Sequence, residues 1–151
     1  MTADRKAQIP ADTSFIRGHL RSHLRQSASS WTIQVDRTGT PLASKARMAV
    51  SPFSRAKGLL GRDSLPEGEA LVFPECHSIH TIGMRFPIDA IFVDRRWRVV
   101  ALRPRLGPGR LVFPVWKAWG VVEMAPGTLE RVPLQVGDRL NLMPSQELSE
   151  K

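Results

Sequence analysis

A chain of 151 residues, 42% apolar and 24% charged, is long enough for one packed domain and too apolar to remain disordered. No apolar run approaches the roughly 20 residues a membrane-spanning helix needs, and residues 1–30 lack the hydrophobic stretch of a secretory signal, so a soluble cytoplasmic protein is expected. The formal charge of +8 favours anionic partners without naming one, and the single cysteine, Cys76, leaves no intrachain disulfide to form, which agrees with a reducing compartment.

The texture divides the chain into a basic arm and linker over 1–30, a β domain over 31–143 and a polar tail over 144–151. In the arm, Phe15, Ile16, Leu20 and Leu24 recur at helical spacing behind Asp12 and Thr13, which suit an N-cap. Arg17, Arg21 and Arg25 form a second stripe, and His19 with His23 a third. This reads as a short basic amphipathic helix that packs its leucines on the domain or frays. An acidic partner or a membrane surface is its sharper alternative.

Short strands follow, separated by Pro and Gly. Trp31–Asp36 alternates, Arg37–Pro41 turns, and Ala46–Val50 is expected back as the hairpin partner. Ser51 and Pro52 open a short helix with Phe53, Ala56, Leu59 and Leu60 on one face, stopped by Gly61. Ala70–Phe73 and Ile88–Val93 are apolar enough to be buried strands. Asp94-Arg95-Arg96 turns the latter into Trp97–Leu102. Residues 103–111, rich in Pro, Gly and Arg, read as a long loop. Leu111–Val115, Gly120–Ala125 and Arg139–Met143 supply the last strands. The sum is a mainly β single domain, a β-sandwich or barrel-like fold with one short internal helix and an N-terminal helical arm.

Chemistry concentrates in Cys76-His77-Ser78-Ile79-His80-Thr81-Ile82-Gly83-Met84. Cys76, His80 and Met84 offer thiolate, imidazole and thioether in a spacing that suits copper, or with the histidines zinc; a further histidine would be His77, next in the chain, or His19 or His23 in the arm. Alternatively Cys76 is the nucleophile of a hydrolase or redox enzyme, with His80 as its base and Asp89 or Glu123 orienting the imidazole. The plain reading makes Cys76 a small buried residue beside histidines that line a shallow cleft. Asp89 and Glu123 each interrupt an apolar run, where a carboxylate is costly unless paired or solvated. Two carboxylates flanking one cleft could act as acid and base; otherwise each pairs with an arginine, Arg62 being a candidate, or bonds backbone amides. Trp116 and Trp119 around Lys117 are either an exposed edge for a sugar or peptide or part of the core. With most aromatics inside apolar runs and no nucleic-acid signature, the positive charge reads as a solvated surface rather than a nucleic-acid site.

Four blocks taken together, Lys57–Pro66, Ile82–Asp94, Val122–Gly127 and Val136–Asp138, resemble the family called domain of unknown function 192, over about residues 44–143. The resemblance implies a compact β-sandwich-like domain with little helix, and no established reaction, cofactor or partner. Many relatives carry an aromatic-Met-Lys-Asn-Thr sequence where this chain has Cys76–Met84, so roles for Cys76, His77 or His80 are not implied for the whole family. The expectation is a module that binds a small ligand or a partner in a cleft lined by Cys76, His77, His80, Met84, Asp89, Glu123 and Arg62.

Overall fold

The computed structural model describes residues 30–145; the expected arm and the end of the tail lie outside the described residues. Strand β1 (Trp31–Val35) buries Trp31, Ile33 and Val35 and leaves Thr32 and Gln34 half-exposed, the period-2 alternation of a strand with one buried face. It pairs antiparallel with β2 (Pro41–Met48), Trp31 opposite Ala46. The hairpin is as expected, but its second strand begins at Pro41 rather than Ala46. Register shifts along the β1–β2 ladder break the alternation of β2, which hides the strand from a period-2 reading.

Helix α1 (Pro52–Lys57) starts where expected. Ser51 Oγ accepts from Ser54 N, and Ser54 Oγ accepts from Ser51 N, which completes a capping box ahead of Pro52. It stops earlier than expected. Gly58, at φ 46 and ψ −124, ends it in a conformation open only to glycine, so Leu59 and Leu60 follow in a turn. This helix is the crossover that lets β3 (Glu69–Pro74) pair parallel to β2, Lys45 opposite Glu69 through Met48 opposite Val72.

After β4 (Ile79–His80) comes β5 (Ile88–Val93), joined to β6 (Val99–Leu106) by a turn in which Asp94 Oδ1 accepts from the backbone N–H of Arg96 and Arg98. The expected loop over 103–111 is half strand. β6 runs through Pro104, and it can do so because it is the end strand of its sheet, where a missing N–H need break no ladder. β7 (Leu111–Val112) pairs with β4 in a separate two-stranded sheet. β8 (Gly120–Met124), the short helix α2 (Thr128–Arg131) and β9 (Leu140–Pro144) complete the chain.

The main sheet has seven strands in the order β6-β5-β8-β3-β2-β1-β9. It curls until its two ends touch: Arg98 bridges Arg139, Leu140 N donates to Trp97 O, and Val99 N donates to Asp138 O. The result is a half-barrel. Its concave side holds one core, drawn from all seven strands and including Ile33, Val72, Ile91, Val122 and Leu142. Its other side, at β3, β5 and β8, holds a second core around Phe73, Ala90, Phe92 and Val121, covered by Leu59, Ile79 and Val112. Strands β5 and β8 are therefore buried along their whole length, which is why they read as apolar runs interrupted only by Asp89 and Glu123. Among the described residues no helix is long and apolar enough to cross a membrane.

The glycine stop of α1 can be tested directly. Gly58→Ala is expected to lower unfolding free energy by about 1–3 kcal/mol in urea titrations, because alanine is strained at that backbone geometry. Gly107→Ala, with open space around the added methyl and no left-handed backbone, is expected to change it by less than about 0.5 kcal/mol.

Candidate functional site

The registers of β8 decide what faces the second core. Glu123 lies opposite Leu71 on β3 and Ala90 on β5, so its side chain projects to the same sheet face as Val121, Phe73 and Phe92. Two further pieces stand over this face. One is α1 with the turn after it. The other is the segment from Cys76 to Met84, which leaves β3 through Glu75 in the left-handed conformation, φ 55. The Arg55 guanidinium holds that turn by donating to the carbonyl oxygens of Pro74 and Glu75. Between the sheet, α1 and this segment is a cleft of about 150 Å³. Leu59, Leu60, Phe73, Ile79 and Met84 make its apolar walls.

Glu123 reaches this cleft from the sheet side, only 4% exposed. No hydrogen bond or ion pair to any described residue satisfies its carboxyl group. Burial alone pushes that group up from the ordinary carboxylate range to about 8, so it is mostly protonated at neutral pH.

Cys76 and His80 also line the cleft, as does Met84. The half-buried thiol of Cys76 donates to the carbonyl oxygen of Ser78 at 3.0 Å, and no hydrogen bond joins it to either nearby imidazole. His80 is exposed on β4. His77 turns away and sets its ring against Trp116, centroids 6.1 Å apart. Among the described residues no three His, Cys, Asp or Glu side chains converge to hold a metal ion, and His19 and His23 lie outside those residues. Trp119 belongs to the core and meets Trp97 edge to face, whereas Trp116 is 84% exposed beside the basic hairpin tip at Arg95 and Arg96.

Asp89 and Arg62 are not part of the cleft, which corrects the expectation that two carboxylates flank it. Asp89 lies opposite Met124, one residue out of step with Glu123, so the two point to opposite faces of the sheet. Asp89 is fully buried, with Oδ1 accepting from Arg105 N and Oδ2 from Leu129 N, both at 2.8 Å. It ties β6 to the first turn of α2. Arg62 pairs instead with Glu69 at 3.0 Å on the surface. The sequence reading also missed Thr81, fully buried, whose hydroxyl donates to Gly107 O and accepts from Arg110 N, so that it pins the segment after β4 to the loop before β7. It missed Arg55 as well, for which no local signal exists beyond its place before the Lys57–Pro66 block.

Residues 33–142 match the model of the domain of unknown function 192, described as an uncharacterized ACR. The chain belongs to the DUF192 family. The match starts earlier than residue 44, where the resemblance of the four blocks begins, and takes in most of β1. Two crystal structures share the fold of this DUF192 chain. One is of a proposed transcription regulator from Sinorhizobium meliloti 1021, with 18% identity, TM-score 0.64, and 76% of this chain and 92% of that one covered. The other is of a protein of unknown function from Novosphingobium aromaticivorans DSM 12444, with 21% identity, TM-score 0.60, and 74% and 82% covered. At these identities the likeness shows the fold alone. No curated protein matches the chain.

Within this DUF192 domain the two buried carboxyl groups have opposite consequences. A folded-state pKa of about 8 for Glu123 lies above its ordinary 4.5, so between those values the folded chain holds a proton that the unfolded chain has lost. Stability is therefore expected to fall as pH rises from about 4.5 to about 8, by on the order of a few kcal/mol, and Glu123→Gln should flatten that fall in urea titrations. Asp89→Ala should instead cost about 2–5 kcal/mol at neutral pH, because it strips acceptors from two backbone N–H groups.

Proposed function

We propose that this chain is a binding domain that seats a small ligand in the cleft between α1, the Cys76–Met84 segment and the β3–β8–β5 face. What supports this reading is the carboxyl group of Glu123. An unpartnered buried carboxyl costs folding free energy, and its neighbours across the sheet, Leu71 and Ala90, would accept an apolar residue in its place. A ligand group that hydrogen-bonds to it offsets that cost. The cleft has the character of a ligand site, with apolar walls and a few polar groups converging from different elements. Its size is that of cavities that admit a benzene-sized molecule. The Cys76 thiol, bonded to a backbone carbonyl rather than an imidazole, favours binding over thiol-based catalysis.

Glu123→Leu separates binding from folding. Screening benzene-sized polar fragments against the full chain by amide NMR is expected to perturb Leu59, Ile79, His80 and Met84. In Glu123→Leu those perturbations should weaken by roughly tenfold in affinity while unfolding free energy rises by about 1–3 kcal/mol. Fragments that bind elsewhere, with a Leu variant no more stable than the parent, would sink the reading.

A further inference from the structure

The charges around the cleft narrow its ligand to one chemical class, an argument that rests on the cleft being a binding site. Glu123 is the only carboxyl group among the described residues that line it. The other charged or titratable groups there are Arg55 and Lys57 from α1, Cys76 from the segment after β3 and His80 from β4; the adjoining strands present Leu71, Phe73 and Ala90 to the same face. Lys57 is exposed and in no ion pair with a described residue. Arg55, which lines the cleft, donates its hydrogen bonds to two backbone carbonyls, and its charge meets no carboxylate among the described residues. The mouth is therefore cationic and the floor carries a single carboxyl in apolar surroundings.

We infer that the cleft takes the anion of a small monocarboxylic acid with an apolar body, one carboxylate oxygen accepting the O–H of Glu123 while Arg55 and Lys57 balance the charge from the mouth. The hydrogen bond is of the charge-assisted O–H···O⁻ kind, which strengthens in surroundings of low polarity. The apolar body covers Leu59, Phe73, Ile79 and Met84, and exchanges water for hydrocarbon contact. An ammonium ligand is disfavoured, since it would pass two cations that meet no carboxylate among the described residues to reach a carboxyl that is neutral at pH 7. When Glu123 ionises, it repels the bound carboxylate, so the same proton that keeps the empty cleft neutral makes binding depend on pH.

Calorimetric titration of the full chain with three matched probes, benzoate, benzylamine and benzyl alcohol, tests this. At pH 6 benzoate is expected to bind at least about tenfold more tightly than the other two, and to weaken by about tenfold or more at pH 9. Glu123→Gln, which keeps a neutral donor of the same shape, should retain benzoate at pH 6 and lose most of that pH dependence. His80→Gln should keep it, because the exposed imidazole is not the proton that matters. Lys57→Glu should weaken benzoate and leave benzyl alcohol unchanged. Tighter binding of benzylamine would overturn the ligand class and leave the cleft standing as a site. An unaltered pH profile in Glu123→Gln would overturn the shared proton. If none of the three probes perturbs the cleft by NMR, the binding-site reading fails with it.

Discussion

Strand β8 hydrogen-bonds to β3 on one side and β5 on the other, and this double registration is the constraint on which the rest of the molecule depends. With Val122 level with Val72 and Ile91, alternate residues of three strands are dealt to two separate cores. Val122 and Met124 enter the closed side of the half-barrel, and Val121 enters the core beneath α1 and the small sheet. A slip of one residue would exchange the two sets and turn Glu123 into the barrel, where aliphatic and indole side chains from every strand are packed. The register is over-determined because both faces are buried, so no slipped pairing leaves either core intact.

Around that sheet, buried polar side chains act as ties between segments that share no ladder. Asp89 joins β6 to α2 through two backbone N–H groups, and Thr81 joins the segment after β4 to the loop before β7. Each satisfies backbone groups that lie outside the main ladders, and that is why these residues are affordable in the interior. Glu123 is the exception among them. It ties nothing, and its carboxyl faces a cleft rather than a backbone amide. The contrast between two acidic residues on neighbouring strands is the physical basis for treating one as architecture and the other as a site.

Much of the fold was legible because its signals are local. β5 and β8 announce themselves as apolar runs, the Asp94–Arg96 turn as a polar break, and the start of α1 as Ser51 before Pro52. What misled were places where local preference yields to neighbours. Pro104 suggested a loop but lies in an end strand, and Gly58 cut α1 short of the leucines that continue its apolar pattern. The two-residue strand β4 exists only because it meets β7, so it leaves no periodic trace, and β7 itself is shorter than the strand expected over Leu111–Val115. In the site, the spacing of Cys76, His80 and Met84 was readable, and these three do line one cleft. Asp89 was grouped with them because a carboxylate in an apolar run looks the same whether it bonds the backbone of a helix or faces a ligand, and Arg62 only as a possible partner for such a carboxylate.

The sequence by itself determined the class of fold, eight of the nine strands among the described residues in their approximate order, and the residues whose chemistry merits attention, since hydrophobic periodicity, turn residues and caps act over a few positions. Only the tertiary structure decided which of those residues share a space. The parallel pairing of β2 with β3, the insertion of the late strand β8 between β3 and β5, and the contact of the sheet's two ends all join residues far apart in the chain. Whether a side chain at a given strand position meets a core, a backbone amide or a cleft follows from that register and from nothing within its own neighbourhood. Asp89 and Glu123 differ for that reason alone.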